Sequence, residues 1–436
     1  MVKALGITID NASGRLRKKR KLNYRKNRMY PYFPINLKYL KNILFKRRSK
    51  EMNYEKRISE VRKYMQENKI NGLFLNPSGD AEYLTGIRRQ RIQANATSTH
   101  LYGDWLYGLF MNKDSAIYVT PNMVKAFPLS QVKGKAFIND VLVLEEGKDL
   151  KKCARQIISR LKLEKGIIAV PKFVLGKTLI RLKELFPEIK FVCTEDFVSK
   201  MRMIKDQEEI KIMKEACQLT DEIFMDVVKK IKVGMTEIDV AREIDYQMLL
   251  RGAEGTSFMT GIMLQGPGNF FDNEKLKRTE NSILEHGNTL SFDFGLVYDG
   301  YVSDFGRTIY IGEPDKLMKK VHKIVMASQK AAIESMIAGK ITAEEVDNVA
   351  RSIINREGFE KEFSHRLGHG IGIDVHEYPF LNIGYKAILQ EGMTFTVEPD
   401  ITIKGKLFIR VEDIVLVTPS GGECLNNVTK DIIVIE

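Results

Sequence analysis

Five ionisable side chains, Asp293, Asp304, His369, Glu398 and Glu412, stand in segments whose neighbours otherwise pattern as buried strand. Nothing else in the chain restricts its fold as strongly, because charge is tolerated among such neighbours only where a partner meets it. Asp293 lies in Leu290-Ser-Phe-Asp-Phe-Gly295, where the two-residue period of a strand puts Phe292 and Phe294 on one face and Asp293 on the other. A tight turn at Tyr298-Asp-Gly300 follows, and then a second strand carrying Asp304 in Ser303-Asp-Phe-Gly-Arg307. A hairpin of this length sets the two carboxylates side by side. Neighbouring carboxylates repel, and one would need a raised pKa unless a divalent cation sits with them.

His369 belongs to His365-Arg-Leu-Gly-His-Gly-Ile-Gly372, followed by His376-Glu377-Tyr-Pro379, so three of the six histidines fall within twelve residues. In Met393-Thr-Phe-Thr-Val-Glu-Pro399, strand parity separates Met393, Phe395 and Val397 from Thr394, Thr396 and Glu398. The same parity gives Phe408, Arg410 and Glu412 a common face. One histidine and four carboxylates suit two hard or borderline divalent ions, Mn²⁺, Co²⁺, Fe²⁺ or Zn²⁺, with Mn²⁺ preferred. Two such ions can share a hydroxide, lower its pKa towards neutrality and hold a carbonyl for attack.

The remaining pattern alternates helix and strand from Asn53 onward. Glu55–Glu67 carries Ile58, Val61 and Met65 at helical spacing, and helices are also expected at Leu150–Leu163 and Leu175–Leu185. Strands are expected at Gly72–Asn76, Ser115–Thr120, Val141–Glu145, Ile167–Val170 and Phe191–Thr194. This alternation predicts an α/β domain over residues 52–197. Residues 199–232 read as one long charged helical connector, followed by a helix at Glu237–Arg251. Strand-like segments Ser257–Leu264, Thr289–Val297 and Tyr301–Tyr310 come next, then a helix at Asp315–Ala338 and a further helix–strand series to Glu436. A helix pair followed by strands thus occurs twice, predicting a second, α+β domain over 198–436. The aromatic run Tyr102-Gly-Asp-Trp-Leu-Tyr107 reads as core packing, with a lid or pocket wall as its functional reading.

Composition excludes several classes. At 44% hydrophobic and 29% charged, 436 residues suit roughly two domains with sizeable cores. Cys153, Cys193, Cys217 and Cys424 form no CxxC pair, which excludes a disulfide scaffold and a thiolate zinc site and fits a reducing cytoplasm. No apolar run reaches the roughly 18–20 residues of a membrane span, and no signal-peptide core opens the chain. The net charge of +13 suggests a nucleic-acid partner until it is located: residues 1–51 hold 16 Lys and Arg against two acids, leaving −1 on the remainder. That basic leader reads as a nucleic-acid arm, an Arg-rich transit peptide, or a disordered stretch upstream of a true start at Met52. The last is preferred, because an amphipathic helix begins directly after Met52. No nucleic-acid or membrane partner is expected for the body.

At these residues the sequence resembles the pita-bread metallopeptidases, which include prolidase, aminopeptidase P and methionine aminopeptidase, and it is most similar to the Xaa-Pro dipeptidase branch. The resemblance rests on the order of the five candidate ligands, on Gly300–Asp304 (Gly-Tyr-x-Ser-Asp), His365–Gly372, Val397–Pro399 and Arg410–Glu412. Asn76–Gly86, ending in Tyr-Leu-Thr-Gly, is similar to the amino-terminal domain of prolidases and creatinases. The resemblance implies an α/β domain ahead of a pita-bread catalytic domain, covering about residues 53–436. It also implies two metal ions. Asp293 would chelate one, Asp304 and Glu412 would bridge both, and His369 and Glu398 would each complete a shell. A bridging hydroxide would attack the scissile carbonyl with Glu398 as proton acceptor. His365 and His376 would orient substrate or stabilise the tetrahedral intermediate, and Arg410 would support the substrate end or Glu412. Such enzymes are usually homodimers in which the amino-terminal domain helps close the partner's site.

One departure bears on the substrate. The family's peptidases usually carry Pro-His before the first ligand strand, and Ser257–Asn273 contains no histidine. His100 or His286 would substitute only if the fold brings one of them in. The resemblance therefore implies cleavage of Xaa-Pro dipeptides or short peptides, with a small non-peptide C–N substrate (ectoine- or creatine-like) as the alternative. A metal-free creatinase-like enzyme fits less well, since those relatives replace ligands that are intact here. A non-catalytic binding module of the same fold is the third reading.

Overall fold

Alternating apolar residues build a six-stranded sheet in the amino-terminal half, in a computed structural model that describes residues 7–9, 16–18, 52–89, 101–266 and 279–436. Its strands run in the order Asp140–Leu144, Ala116–Pro121, Gly108–Met111, Gly72–Leu75, Gly166–Val170 and Ile189–Cys193. Gly108–Met111 is antiparallel to both its neighbours, and the other pairings are parallel. Strand parity splits the side chains between two cores. Phe74, Phe110, Ile117, Val119 and Ile168 face helices Leu150–Arg160 and Gly176–Leu185. Leu73, Leu75, Leu109, Met111 and Tyr118 face helix Tyr54–Glu67, through Ile58, Val61 and Met65, and also the carboxy-terminal half, through Ile212, Met213, Tyr301 and Ile373. Trp105 and Leu106 are buried in the first of these cores, so the centre of the aromatic run is packing, while Tyr102 at its start is exposed.

The carboxy-terminal half repeats a pattern. Helices Gln207–Val228 and Glu237–Leu250 precede a four-stranded sheet ordered Gly261–Gln265, Thr289–Phe294, Phe305–Ile311 and Val434–Ile435. Helices Lys316–Ser335 and Ala343–Arg356 precede a five-stranded sheet ordered Glu377–Leu381, Gly368–Gly370, Thr394–Val397, Asp413–Thr418 and Gly421–Cys424. The second helix of each pair starts at a threonine capping box, Thr236 with Asp239 and Thr342 with Glu345. An antiparallel hairpin, Asp400–Ile403 with Leu407–Arg410, packs on the four-stranded sheet. Phe292, Phe294 and Phe305 fill one core of this half, and Met393, Phe395 and Val397 the other.

The charged stretch 199–232 is not one connecting helix. Val198–Met203 and Gln207–Val228 are separate, broken where Lys205 N–H donates to Gly392 O at 2.9 Å and Asp206 caps the second helix. The second helix is built into the protein: Ile210, Ile212 and Met213 enter the core shared with the amino-terminal sheet, and Ile223, Phe224 and Val227 enter the core of the four-stranded sheet. Charge on its outward face masked that inward face in the sequence. Residues 1–47 form a unit apart from 48–436; within it Ile7–Ile9 pairs antiparallel with Leu16–Lys18, strands too short to leave a period in the sequence. The expectation of a disordered leader otherwise lies outside the described residues.

Candidate metal centre

The first two carboxylates are placed by the hairpin expected from the sequence. Tyr298 and Tyr301 pair across a two-residue turn in which Asp299 (φ +44°) and Gly300 (φ +81°) are both left-handed, as such a turn demands. Below it Asp293 pairs with Gly306 and Phe294 with Phe305, so Asp304 enters the return strand beside Asp293. Glu412 arrives from the other sheet through a single bridge, Gly306 with Glu412, and the carboxylates of Asp293, Asp304 and Glu412 come within 4.8 Å of one another. Gly306 has to be small here, because a Cβ would lie 2.6 Å from Glu412 Oε2.

His369 Nε2 stands 3.5 Å from Asp304 Oδ2 and 3.4 Å from Glu398 Oε1. Its Nδ1 lies 3.0 Å from Gly370 O; a proton donated there leaves the Nε2 lone pair facing the carboxylates. The Thr396 hydroxyl accepts from His369 N–H at 3.1 Å and donates to Glu398 Oε1 at 3.0 Å, setting both side chains. The five residues are 1–9% exposed. Arg410 reaches them because its hairpin is stapled to the four-stranded sheet: Ser291 Oγ donates to Phe408 O at 2.6 Å, and Arg410 N–H donates to Thr308 Oγ1 at 2.9 Å. Arg410 Nη1 then donates to Asp293 at 2.8 Å and lies 3.7 Å from Glu398 and 3.9 Å from Glu412, while Nη2 donates to Asp400 at 3.2 Å.

Asp400 escaped the sequence reading. It also accepts from His365 Nε2 at 2.7 Å. Burial pulls the His365 imidazole down, but Asp400 outweighs burial and raises it above the ordinary histidine value. Asp400 shows the converse: burial pushes it up, and His365 and Arg410 bring it below the usual carboxylate range.

Burial first, and neighbouring carboxylates after it, raise both Asp304 and Glu412. Asp304 Oδ1 and Glu412 Oε2 are buried without a hydrogen-bond partner. Orphaned buried oxygens beside an imidazole nitrogen are what a divalent cation would satisfy, so the residues present fit the metal chemistry expected of them. A cavity of about 570 Å³ opens onto the cluster. Besides the candidate ligands, Arg410, His365 and His376, it is lined by Phe258, Arg366, Val375 and Asn382. Phe258 and Asn382 carried no sequence signal, since each comes from a segment whose approach to the site depends on tertiary folding, whereas Arg366 was passed over within the His365–Gly372 motif. His376 packs edge-on to His369, ring centroids 4.3 Å apart.

Neither alternative histidine is brought in among the described residues. His286 lies beside Gly312, beyond the opposite end of strand Thr289–Phe294 from Asp293, and His100 is outside the described residues. The part of the departing segment that is described, Ser257–Gly266, supplies Phe258 to the cavity wall.

Comparison with known proteins agrees with this architecture. Residues 211–419 match the model of metallopeptidase family M24, and residues 57–204 match that of the creatinase/prolidase N-terminal domain. An Xaa-Pro dipeptidase of Pyrococcus horikoshii is 36% identical over 244 residues, 56% of this chain and 68% of that protein. Another, of Lactobacillus helveticus, is 38% identical over 256 residues, 58% of this chain and 68% of its own. Among solved structures, a recombinant prolidase of Thermococcus sibiricus superposes with a TM-score of 0.78 at 28% identity, covering 88% of this chain and all of that one.

Proposed function

Because the chain belongs to metallopeptidase family M24 and is a peptidase, we propose that it is a dinuclear hydrolase cleaving the imide bond of Xaa-Pro dipeptides or short peptides. The observation that carries this reading is the convergence of four buried carboxylates and one imidazole, two of whose oxygens lack any partner, at the floor of a cavity of about 570 Å³. Asp293, Asp304, His369, Glu398 and Glu412 would hold the two divalent ions, with Mn²⁺ preferred for its match to an oxygen-rich donor set. When bound, the ions would supply Lewis acidity, polarising the scissile carbonyl and making an attacking water more acidic.

The chain's own groups do the remaining work. Glu398, one oxygen fixed by Thr396, keeps its second oxygen for the proton taken from the nucleophile and passed to the leaving nitrogen. Arg410 holds Asp293 in place and balances part of the charge of the cluster. His365, hydrogen-bonded to Asp400, and His376 at the turn before strand Glu377–Leu381 orient the substrate carbonyl and the oxyanion that develops from it. Arg366, whose Nε is buried without a partner and whose guanidinium lies over the Phe380 ring at 4.9 Å, suits the substrate's free carboxylate. The two domains divide near residue 197. The protein works as a homodimer, as the resemblance to the Xaa-Pro dipeptidases implies, and in a reducing cytoplasm, a reading supported by its four unpaired cysteines.

The test is release of free proline from a panel of Xaa-Pro dipeptides by the full chain, with and without Mn²⁺ or Co²⁺. Metal-dependent release is expected. Phe258 at the wall, in a segment with no histidine, favours a second reading in which the same site acts on a small non-peptide C–N substrate. Failure of folded, metal-loaded protein to cleave both the dipeptides and short Xaa-Pro peptides would favour it.

A further inference from the structure

Val375 and His376 reach the cavity from the tip of a hairpin, Gly368–Gly370 with Glu377–Leu381, whose register breaks between His369 and Gly370. Beyond the pair Gly370 with Glu377 the ladder ends, and backbone bonds tie Gly372: Val302 N–H donates to its carbonyl at 2.8 Å, and its own N–H donates to Asp374 O at 3.2 Å. The side-chain support is a carboxylate: Glu377 Oε1 accepts from the backbone N–H groups of Ile373 and Asp374 at 2.9 and 3.0 Å. That carboxylate is gripped in turn from outside the hairpin. Arg202 Nη2 donates to Glu377 Oε1 at 2.6 Å and to Asp374 Oδ2 at 2.6 Å, and Lys205 Nζ lies 3.3 Å from Glu377 Oε2. The other arm of the guanidinium, Nη1, donates to Asp80 at 2.8 Å, and Asp80 is held by Thr194 at 2.9 Å. Arg89 pairs with both Glu82 and Asp374. Packing leaves no slack, for a Cβ on Gly79 would lie 2.1 Å from Asp374 Oδ2, and one on Gly372 would lie 2.9 Å from Glu377 Oε2.

Asp80, Glu82, Arg89 and Thr194 all come from the amino-terminal half, within or beside elements of the six-stranded domain, whereas the hairpin belongs to the catalytic sheet. We propose that Arg202 is a positioning residue, which fixes the His376 tip in the cavity by tying Glu377 and Asp374 to Asp80, and so makes the amino-terminal domain a working part of the catalytic centre. The proposal rests on the reading of His376 as a substrate-orienting group. The physical reason for a fork rather than a point charge is geometric: one guanidinium addresses three carboxylates from two sides at once, which an ammonium cannot do.

The test is a double-mutant cycle in the full, metal-loaded chain. Arg202→Lys keeps a charge but loses the fork. It is expected to lower kcat on an Xaa-Pro dipeptide about 10- to 100-fold through a misplaced His376, with a smaller change in KM and an unchanged Mn²⁺ stoichiometry. Asp80→Asn, a milder cut on the amino-terminal side, gives the same signature at lower amplitude and serves if Arg202→Lys folds poorly. In a His376→Ala background Arg202→Lys should cost almost nothing further, because both remove the same contribution. Multiplicative losses in the double variant would overturn the proposal. A readout without turnover is hydrogen exchange of the Ile373 and Asp374 amides, expected to speed up about tenfold or more in either variant. Unchanged protection there overturns the proposal whether or not dipeptides are substrates. An inert His376→Ala with accelerated exchange would instead retire the role given to His376 and leave the Arg202 anchor standing.

Discussion

Asp400 joins two groups that nothing in the sequence connects, His365 at 2.7 Å and Arg410 at 3.2 Å. Replacing it by Asn removes the charge that raises His365 and frees one arm of Arg410. Asp400→Asn should lower activity about 10- to 100-fold with the fold retained, checked by steady-state kinetics beside a thermal melt. The residue directly follows Pro399 and sits on the strand after the one carrying Glu398. Its role emerges only once the pairing Asp400 with Arg410 is known. Parity within single strands made the candidate ligands legible, since Phe292, Phe294, Met393, Phe395 and Val397 do occupy the cores that their alternation implied. Parity says nothing about Phe258 or Asn382, which meet the site from separate segments, nor about Arg366, which precedes strand Gly368–Gly370.

At the scale of elements, the two catalytic sheets touch at Gly306 and Glu412, and that contact depends on an absent side chain. Gly306→Ala puts a methyl 2.6 Å from Glu412 Oε2 and 3.0 Å from Arg410 Cδ. Glu412 has to swing aside. The expected result is Mn²⁺ affinity weakened about tenfold or more at a stability cost of about 1–3 kcal/mol, measured by calorimetric titration and denaturant unfolding. Element existence was largely legible from period and capping. The strand Gly108–Met111, the helix Gly79–Thr85 and the break at Ile204–Asp206 were not. The first two are short, four and seven residues, and too brief to display a period. The break is imposed by backbone pairing of Ile204 with Met393, nearly two hundred positions away in the chain.

Across the whole molecule, a buried acid couples stability to pH away from the cluster. Asp221 accepts from Asn426 Nδ2 at 2.8 Å and Asn427 N–H at 2.6 Å, and burial, only partly offset by these bonds, pushes it up to about 6 from 3.8. A carboxyl whose folded pKa lies above its unfolded value stabilises the fold while protonated in both states. That contribution falls as pH rises from about 4 through 6. Relative to wild type, Asp221→Asn should therefore gain about 2–3 kcal/mol between pH 4 and pH 7, read as the change in their stability difference by denaturant unfolding at each pH. A difference that does not vary with pH would remove Asp221 from the account. The claim on which the whole reading turns is that the cluster binds metal, and calorimetric titration of Mn²⁺ into chelator-treated full chain tests it most directly. The prediction is about two equivalents per chain, lost in a folded Asp304→Asn variant. A wild-type chain that takes up no Mn²⁺, or an Asp304→Asn chain that titrates like the wild type, would contradict it.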